Sequence, residues 1–329
     1  MAAKGRFILS EDQLEQYSDR IALPKANRVY SVSDLTDDEG FLYLQTLIKH
    51  QQVRIPFENL TLHYSWHRVI DVTPRHVFRK VMSKPGRGGY CMEANTLFHT
   101  VILSLGFNCY TAAARVGFPS GNWGGWSHLV NLVTIGGTKY LCDVGFGPNE
   151  PTVPIPLSHG VVRRQIAPAE SRLVFETLPQ NLSDSKLWIC QARTSPDAEW
   201  TSMYCFTEVE ILPTDIPGMN FAPSRDPASH FTQKVLCVRL TTSKERSGND
   251  STGPEAMSES DIEEGEVDGA LIIDHDKLKW RRSGKTVLEA EFRSEKERVQ
   301  ALKKYWGIEL DVEDREAILG TVSAVKEKE

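Results

Sequence analysis

The sequence predicts an α+β protein in three successive parts, and three observations carry that reading. Apolar residues recur at helical spacing through the first hundred positions. Short β-branched and aromatic runs follow from about residue 107 to 213, and the last third mixes the two patterns. Boundaries are expected at 1–106, 107–213 and 214–329. A chain of 329 residues, 40% apolar and 25% charged, is long enough to bury a sizeable core and has the composition of an ordinary globular protein.

Taken in order, Ser10-Glu-Asp-Gln13 has capping-box form and opens a first helix. Leu35, Leu42, Leu44, Leu47 and Ile48 give helical spacing over 35–53, with Ser33 or Thr36 as cap and Pro56 as terminator. Pro74 sits where proline suits the first helical position, and Val77, Phe78 and Val81 then share a face. Strands are expected at 109–116, 128–135, 139–144, 172–175, 187–192 and 201–209, a set that makes a small barrel or a sandwich. Strands at 234–242, 270–274 and 286–292 and a helix at 294–306 complete the chain. The stretch 243–269 holds nine acidic residues against two basic ones and almost no large apolar ones. It is expected to be a disordered surface insertion, with an acidic docking loop as the alternative.

A net charge of −6 argues against a nucleic-acid partner or an anionic membrane surface. No run approaches the roughly 20 apolar residues of a membrane helix, and the first ten residues lack a signal-peptide core. A cytoplasmic protein is expected. The six cysteines are scattered, with no Cys-x-x-Cys pair, and the histidines His63, His67, His76, His159, His230 and His275 lack ligand spacing. Free thiols are expected, with no structural metal and no disulfide framework.

Two segments carry chemistry. In Gly86-Arg-Gly-Gly-Tyr-Cys-Met-Glu-Ala-Asn95, a glycine-rich loop runs into a helix whose apolar stripe is Ala94, Leu97, Phe98, Val101, Ile102 and Leu105. Cys91 therefore stands at the first turn of a buried helix, where unpaired N–H groups and the helix dipole favour a thiolate and could hold an oxyanion. The glycines are expected to let the backbone approach a substrate. Cys91 could equally be a small buried hydrophobe. In the second segment, strands around Gly136-Gly137 form a hairpin. With a two-residue loop, His128 lies one diagonal step from Asp143 on the same face; a three-residue loop would separate them. An imidazole oriented by a carboxylate is what a catalytic cysteine needs. Cys109 and Cys142 fall in strands as core residues, with Cys142 on the face opposite Asp143, and His99 is expected to be structural or exposed.

Together these residues resemble the arylamine N-acetyltransferase family. The matching segments are Ile55-Pro-Phe-Glu-Asn-Leu60, Arg87-Gly-Gly-Tyr-Cys-Met-Glu93, Leu105-Gly-Phe107, Ser127-His-Leu129 and Asp143-Val-Gly-Phe-Gly147, in the family's order and at similar spacing. The resemblance covers residues 10 to 240 and thins beyond, where the acidic insertion departs from the shorter bacterial pattern and suggests a fungal or other eukaryotic member. It implies a helical N-terminal domain carrying the nucleophile, a central β-barrel carrying the histidine and aspartate, and a C-terminal α/β lid. The core of such a fold is shared in part with papain-like cysteine enzymes.

The resemblance further implies that Cys91 is the acyl-accepting nucleophile, His128 its base and Asp143 the orienting carboxylate. Phe57 and Phe146 would line the acceptor pocket, Gly124 and Gly125 would lie near the pantetheine arm of coenzyme A, and Glu58 with Arg87 would pin the loop before the nucleophile. Glu58 and Arg87 could instead be an exposed pair of little worth. The expected activity is ping-pong transfer of an acyl group from an acyl-coenzyme A to an arylamine, arylhydrazine or aminophenol, as in xenobiotic metabolism. Acetyl-coenzyme A is the expected co-substrate, with malonyl-coenzyme A or longer donors as alternatives, and no tightly bound cofactor is expected. Two rivals remain: a papain- or transglutaminase-like amide hydrolase using the same three residues, and a non-catalytic binding relative.

Overall fold

The computed structural model describes residues 5–245 and 258–327. Helix α1, Glu11–Arg20, starts on the expected capping box, with Ser10 Oγ accepting from Gln13 N at 3.3 Å and Gln13 Oε1 accepting from Ser10 N at 3.0 Å. Helix α2, Asp37–Arg54, takes Thr36 as its cap, the second of the two expected candidates. It buries Leu44, Leu47 and Ile48 of the expected stripe but leaves Leu42 61% exposed, with Tyr43 turned inward in its place. A two-residue strand β1, Phe57–Glu58, precedes helix α3, Pro74–Ser83, and helix α4, Cys91–Ser104. All six residues of the predicted α4 stripe are buried. Truncating any of its large aliphatic residues to alanine would cost about 2–5 kcal/mol.

Eight strands follow: β2 Asn108–Gly117, β3 Trp123–Ile135, β4 Thr138–Cys142, β5 Ile155–Pro156, β6 Val162–Arg164, β7 Glu170–Thr177, β8 Lys186–Arg193 and β9 Thr201–Glu210. They form one antiparallel sheet in the order β5-β4-β3-β2-β9-β8-β7-β6. A parallel bridge between His159 and Leu173 ties the chain after β5 to β7, so the sheet curls into a nearly closed barrel. Of the two architectures open to the sequence, the barrel is the observed one. Strands β5 and β6 are two and three residues long and carry no sequence alternation to announce them.

The chain then adds α5 Ile216–Arg225, α6 His230–Gln233, β10 Leu236–Thr242, α7 Glu259–Glu264, β11 Val267–Asp274, β12 Lys277–Arg282, β13 Lys285–Glu291, α8 Glu295–Trp306 and α9 Val312–Ala317. A second antiparallel sheet runs β1-β10-β11-β12-β13, so Phe57 and Glu58 join it from far upstream. Helices α5, α6, α7 and α9 and strand β12 go beyond the sequence expectation. Pro217 and Pro223 mask α5, and α6, α7 and α9 are too short to show a period.

The expectation of disorder over 243–269 is corrected at both ends. Glu245 is buried and paired with Arg239. Ser258 caps α7, and the fully buried Ile262 packs with Val53, Leu240 and Ile272. A single isoleucine in an acidic run is a weak signal, and its packing partners are far away in sequence. The remaining part of that expectation, 246–257, lies outside the described residues. Among the described residues no helix is long and apolar enough to cross a membrane, and no group of three or more metal-ligating side chains converges.

Candidate active site

The site forms where the start of α4 meets the β3–β4 hairpin. Ile135 pairs with Thr138, so the loop is the two glycines Gly136 and Gly137, and Asn131 pairs with Cys142. The two-residue loop, one of two geometries left open by the sequence, therefore holds. His128 Nε2 lies 2.7 Å from Asp143 Oδ2, with both side chains buried. In the β2–β3 register, Ala114 faces His128 while Arg115 faces Trp126, leaving Ser127 as the extra residue of a bulge. The Ser127 carbonyl accepts from Cys91 Sγ at 3.7 Å.

Because Nε2 is committed to Asp143, the interaction of His128 with Cys91 falls to Nδ1. Burial opposes charge on His128, but the Asp143 carboxylate and the hydrogen bond to Cys91 outweigh it and push the imidazole up to about 10. Burial likewise opposes ionisation of Asp143, yet His128, Asn95 and the Gly145 N–H hold its carboxyl below the ordinary value. Asn95 completes the arrangement from the helix side. Its Nδ2 donates to Asp143 Oδ1 at 2.8 Å, and its Oδ1 accepts from Val144 N at 3.2 Å and Asn131 Nδ2 at 3.1 Å. It stands four residues after Cys91, the spacing of one helix face, which is the signal that could have found it.

The loop before Cys91 is anchored by buried charge. Arg87 Nε donates to Glu58 Oε1 at 2.9 Å, Gly88 N to the same oxygen at 3.3 Å, and Leu60 N to Oε2 at 2.6 Å. Lys80 bridges Glu58 at 3.3 Å and Glu93 at 2.9 Å, and all four side chains are buried. The exposed-pair reading of Glu58 and Arg87 is thereby overturned. Burial raises the cost of ionising Glu58, but Arg87 and Lys80 hold it down at about 2; burial pushes Glu93 up. The expectation that the glycines admit a substrate is also corrected. A Cβ on Gly88 would lie 2.0 Å from the Pro56 carbonyl oxygen, and one on Gly89 2.5 Å from Glu93 Cβ, so these glycines admit neighbouring protein. A similar constraint applies after Asp143: a Cβ on Gly145 would meet Cys91 Cα at 3.0 Å.

A cavity of about 670 Å³ opens beside Cys91. Its lining brings together Cys91, His128, Phe57, Phe146, Gly124 and Gly125, while Glu58, Arg87 and Asp143 lie behind it. The Phe146 ring stacks edge-on to His128 at 5.1 Å, and Tyr204 packs on both rings. Arg115 lies over Trp126 at 3.8 Å and donates to the Gly124 carbonyl at 3.0 Å, which holds the glycine pair in the rim. The lining also takes in Pro223, His230, Phe231, Val238 and Ile272, residues that no motif announced. Cys142 and Cys109 are held away from the cavity, and burial pushes the first thiol far up and the second to about 12. His99 is kept neutral by burial, which lowers it to about 4.

Residues 42–247 match the model of an N-acetyltransferase family. The chain is 30% identical to an N-malonyltransferase FDB2 of Fusarium pseudograminearum, over 94% of this chain and 92% of that one. It is 27% identical to arylamine N-acetyltransferase 1 of Homo sapiens over 69% and 78% of the two chains. In fold it matches the arylamine N-acetyltransferase of Mycobacterium abscessus with a TM-score of 0.75 at 22% identity, covering 94% and 95%. The enzyme of Mycobacterium marinum, solved in complex with CoA, matches with a TM-score of 0.71 at 24% identity, covering 95% and 99%.

Proposed function

We infer that this chain, which belongs to the arylamine N-acetyltransferase family, moves an acyl group from an acyl-coenzyme A to an aromatic amine through a thioester on Cys91. The acyltransferase class follows from the family; donor, acceptor and residue roles are the proposal. The observation that carries it is a thiol at a helix start, on the wall of a cavity, facing an imidazole that a buried carboxylate holds at 2.7 Å.

Cys91 passes its proton to His128, its sulfur attacks the thioester carbonyl as the thiolate, and the carbon–sulfur bond of the donor breaks. His128, protonated near neutral pH by its pairing with Asp143, gives its proton to the departing coenzyme A thiolate. An arylamine, arylhydrazine or aminophenol nitrogen then attacks the acyl-cysteine. His128 takes up the proton that the nitrogen loses, and the Cys91 thiolate is released. A weakly basic aryl nitrogen is unprotonated near neutral pH and can attack directly. Phe57 and Phe146 would flank the acceptor ring, and Gly124 and Gly125 would border the pantetheine arm. The helix-borne thiol facing a barrel-borne imidazole and carboxylate is the papain-like arrangement that the family resemblance implies.

The acyl group is acetyl or malonyl, and two observations pull apart here. The near-full-length Fusarium relative is an N-malonyltransferase, which favours malonyl. Among the described residues the cavity lining carries Asp226 and Asp274 but neither lysine nor arginine, which favours the uncharged acetyl group. Intact mass after incubation with each donor and no acceptor tests both points. One acyl group on the wild type and none on Cys91→Ala is expected. A chain that gains no acyl group, or gains it equally without the thiol, would sink the proposal, and the faster of the two donors names the acyl group.

A further inference from the structure

We propose that Asn59 and His63 form a polar clamp that positions Phe231 and so sets the shape of the acceptor side of the cavity; this rests on the acyl-transfer reading above. The two residues share the turn that follows β1, and both are buried. Asn59 Nδ2 donates to the carbonyls of Phe231 at 2.9 Å and Lys234 at 2.8 Å, and its Oδ1 accepts from Leu236 N at 2.8 Å. Its two amide hydrogens are thereby used. His63 Nε2, 3.0 Å from the Phe231 carbonyl, is then the second donor to that oxygen, and Nδ1 is left to accept from Ser323 Oγ at 2.8 Å.

One backbone carbonyl therefore receives two hydrogen bonds from the same turn. Its side chain is the ring that packs on Phe57 at 6.1 Å and edge-on to Tyr90 at 5.1 Å while lining the cavity. Between α5 and β10 the segment around Phe231 has a four-residue helix as its own secondary structure, and these contacts tie it to the turn after β1. Burial disfavours charge on His63 and lowers it to about 4, which keeps the ring in the neutral form with one donor and one acceptor that the relay needs. Phe57, Glu58 and Asn59 are consecutive, yet they serve three purposes: one lines the cavity, one anchors the nucleophile loop, and one fixes the stretch of wall that carries Phe231. Through Ser323 the clamp also ties that wall to the segment after α9.

The test separates the half-reactions in the full chain. In Asn59→Ala and His63→Leu, acylation of Cys91 by acyl-coenzyme A should stay within about twofold of wild type, because the reacting groups are untouched. The KM for 2-aminophenol and 2-aminofluorene should rise about tenfold, with the ratio between the larger and smaller amine altered, because a buried carbonyl loses a donor and the wall relaxes. Equilibrium binding of the same amines, read by calorimetry, should weaken in parallel. Ser323→Ala, which removes one hydroxyl and leaves the core packed, should show about a threefold rise and decides the matter if the larger changes unfold the chain. Unchanged acceptor KM and binding in these variants, or an equal loss in acylation and acceptor transfer, overturns the clamp. A wild type that binds amines but never acylates Cys91 overturns the acyl-transfer reading instead, while calorimetry still judges the clamp.

Discussion

The two walls of the cavity are held by different physics. On the Cys91 side, ionised groups do the holding: Glu58 with Arg87 and Lys80 behind the loop, and Asp143 with His128 beside the thiol. On the Phe231 side the buried contacts are neutral, an amide and an uncharged imidazole gripping backbone carbonyls, and the Lys234–Asp274 pair at 3.7 Å is exposed. Charges buried in this way are costly to leave unpaired, so they fix one arrangement firmly. Neutral hydrogen bonds to a short segment are worth about 0.5–1.5 kcal/mol each and allow adjustment. The difference fits a division of labour in which the reacting atoms are held rigidly and the acceptor wall is left tunable.

The sharpest way to break this comparison is Asp143→Asn. The side chain keeps its size but loses the charge that holds His128 protonated, and Cys91 acylation should fall by about a thousandfold or more, by analogy with the carboxylate of a serine-protease triad. Stopped-flow release of coenzyme A measures it; a loss below tenfold would mean that charge is not what holds the reactive wall. The same variant carries a pH signature. His128 is raised from 6.5 to about 10, so its contribution to stability is complete below about pH 6.5 and disappears as the pH climbs through about 10. The wild-type Tm should therefore fall across that window more steeply than that of Asp143→Asn, as calorimetric scans at fixed ionic strength would show.

Next in size is Glu58→Gln, which takes from Arg87 its carboxylate partner and leaves Lys80 with Glu93. Unpairing a buried charge costs about 3–5 kcal/mol, read as a shift of the urea midpoint. A change under 1 kcal/mol would place the anchoring elsewhere. The smallest effect belongs to the Phe231 wall. Phe231 is only half-buried, so Phe231→Ala should cost no more than about 1–2 kcal/mol of stability. It should still change the relative KM of large and small amines. A large stability loss there would erase the contrast between the walls.

Much of the reactive side was legible before any coordinates. Capping residues, the buried stripe of α4 and the Gly-Gly turn are local signals, and a period-two hairpin fixes which side chains share a face once its loop length is known. That length was the one open variable, and the pairing of Ile135 with Thr138 closes it. The disorder expected over 258–264 failed for a complementary reason. Composition weighs a segment by its own residues, whereas Ile262 and Glu263 are satisfied by Val53, Lys49 and His50 on α2.

By itself, then, the sequence determined helices α1–α4 and α8 and the longer strands, the thiol at a helix start, and a histidine and an aspartate in one hairpin, because these rest on contacts between near neighbours. Only the tertiary structure decided that Glu58 and Arg87 are buried, that Asn95 orients Asp143, and that Asn59 holds the Phe231 carbonyl beside the cavity. Those facts depend on chain segments from 29 to 172 residues apart. No local propensity encodes such distances; they follow from how the barrel, the five-stranded sheet and α4 pack around one another.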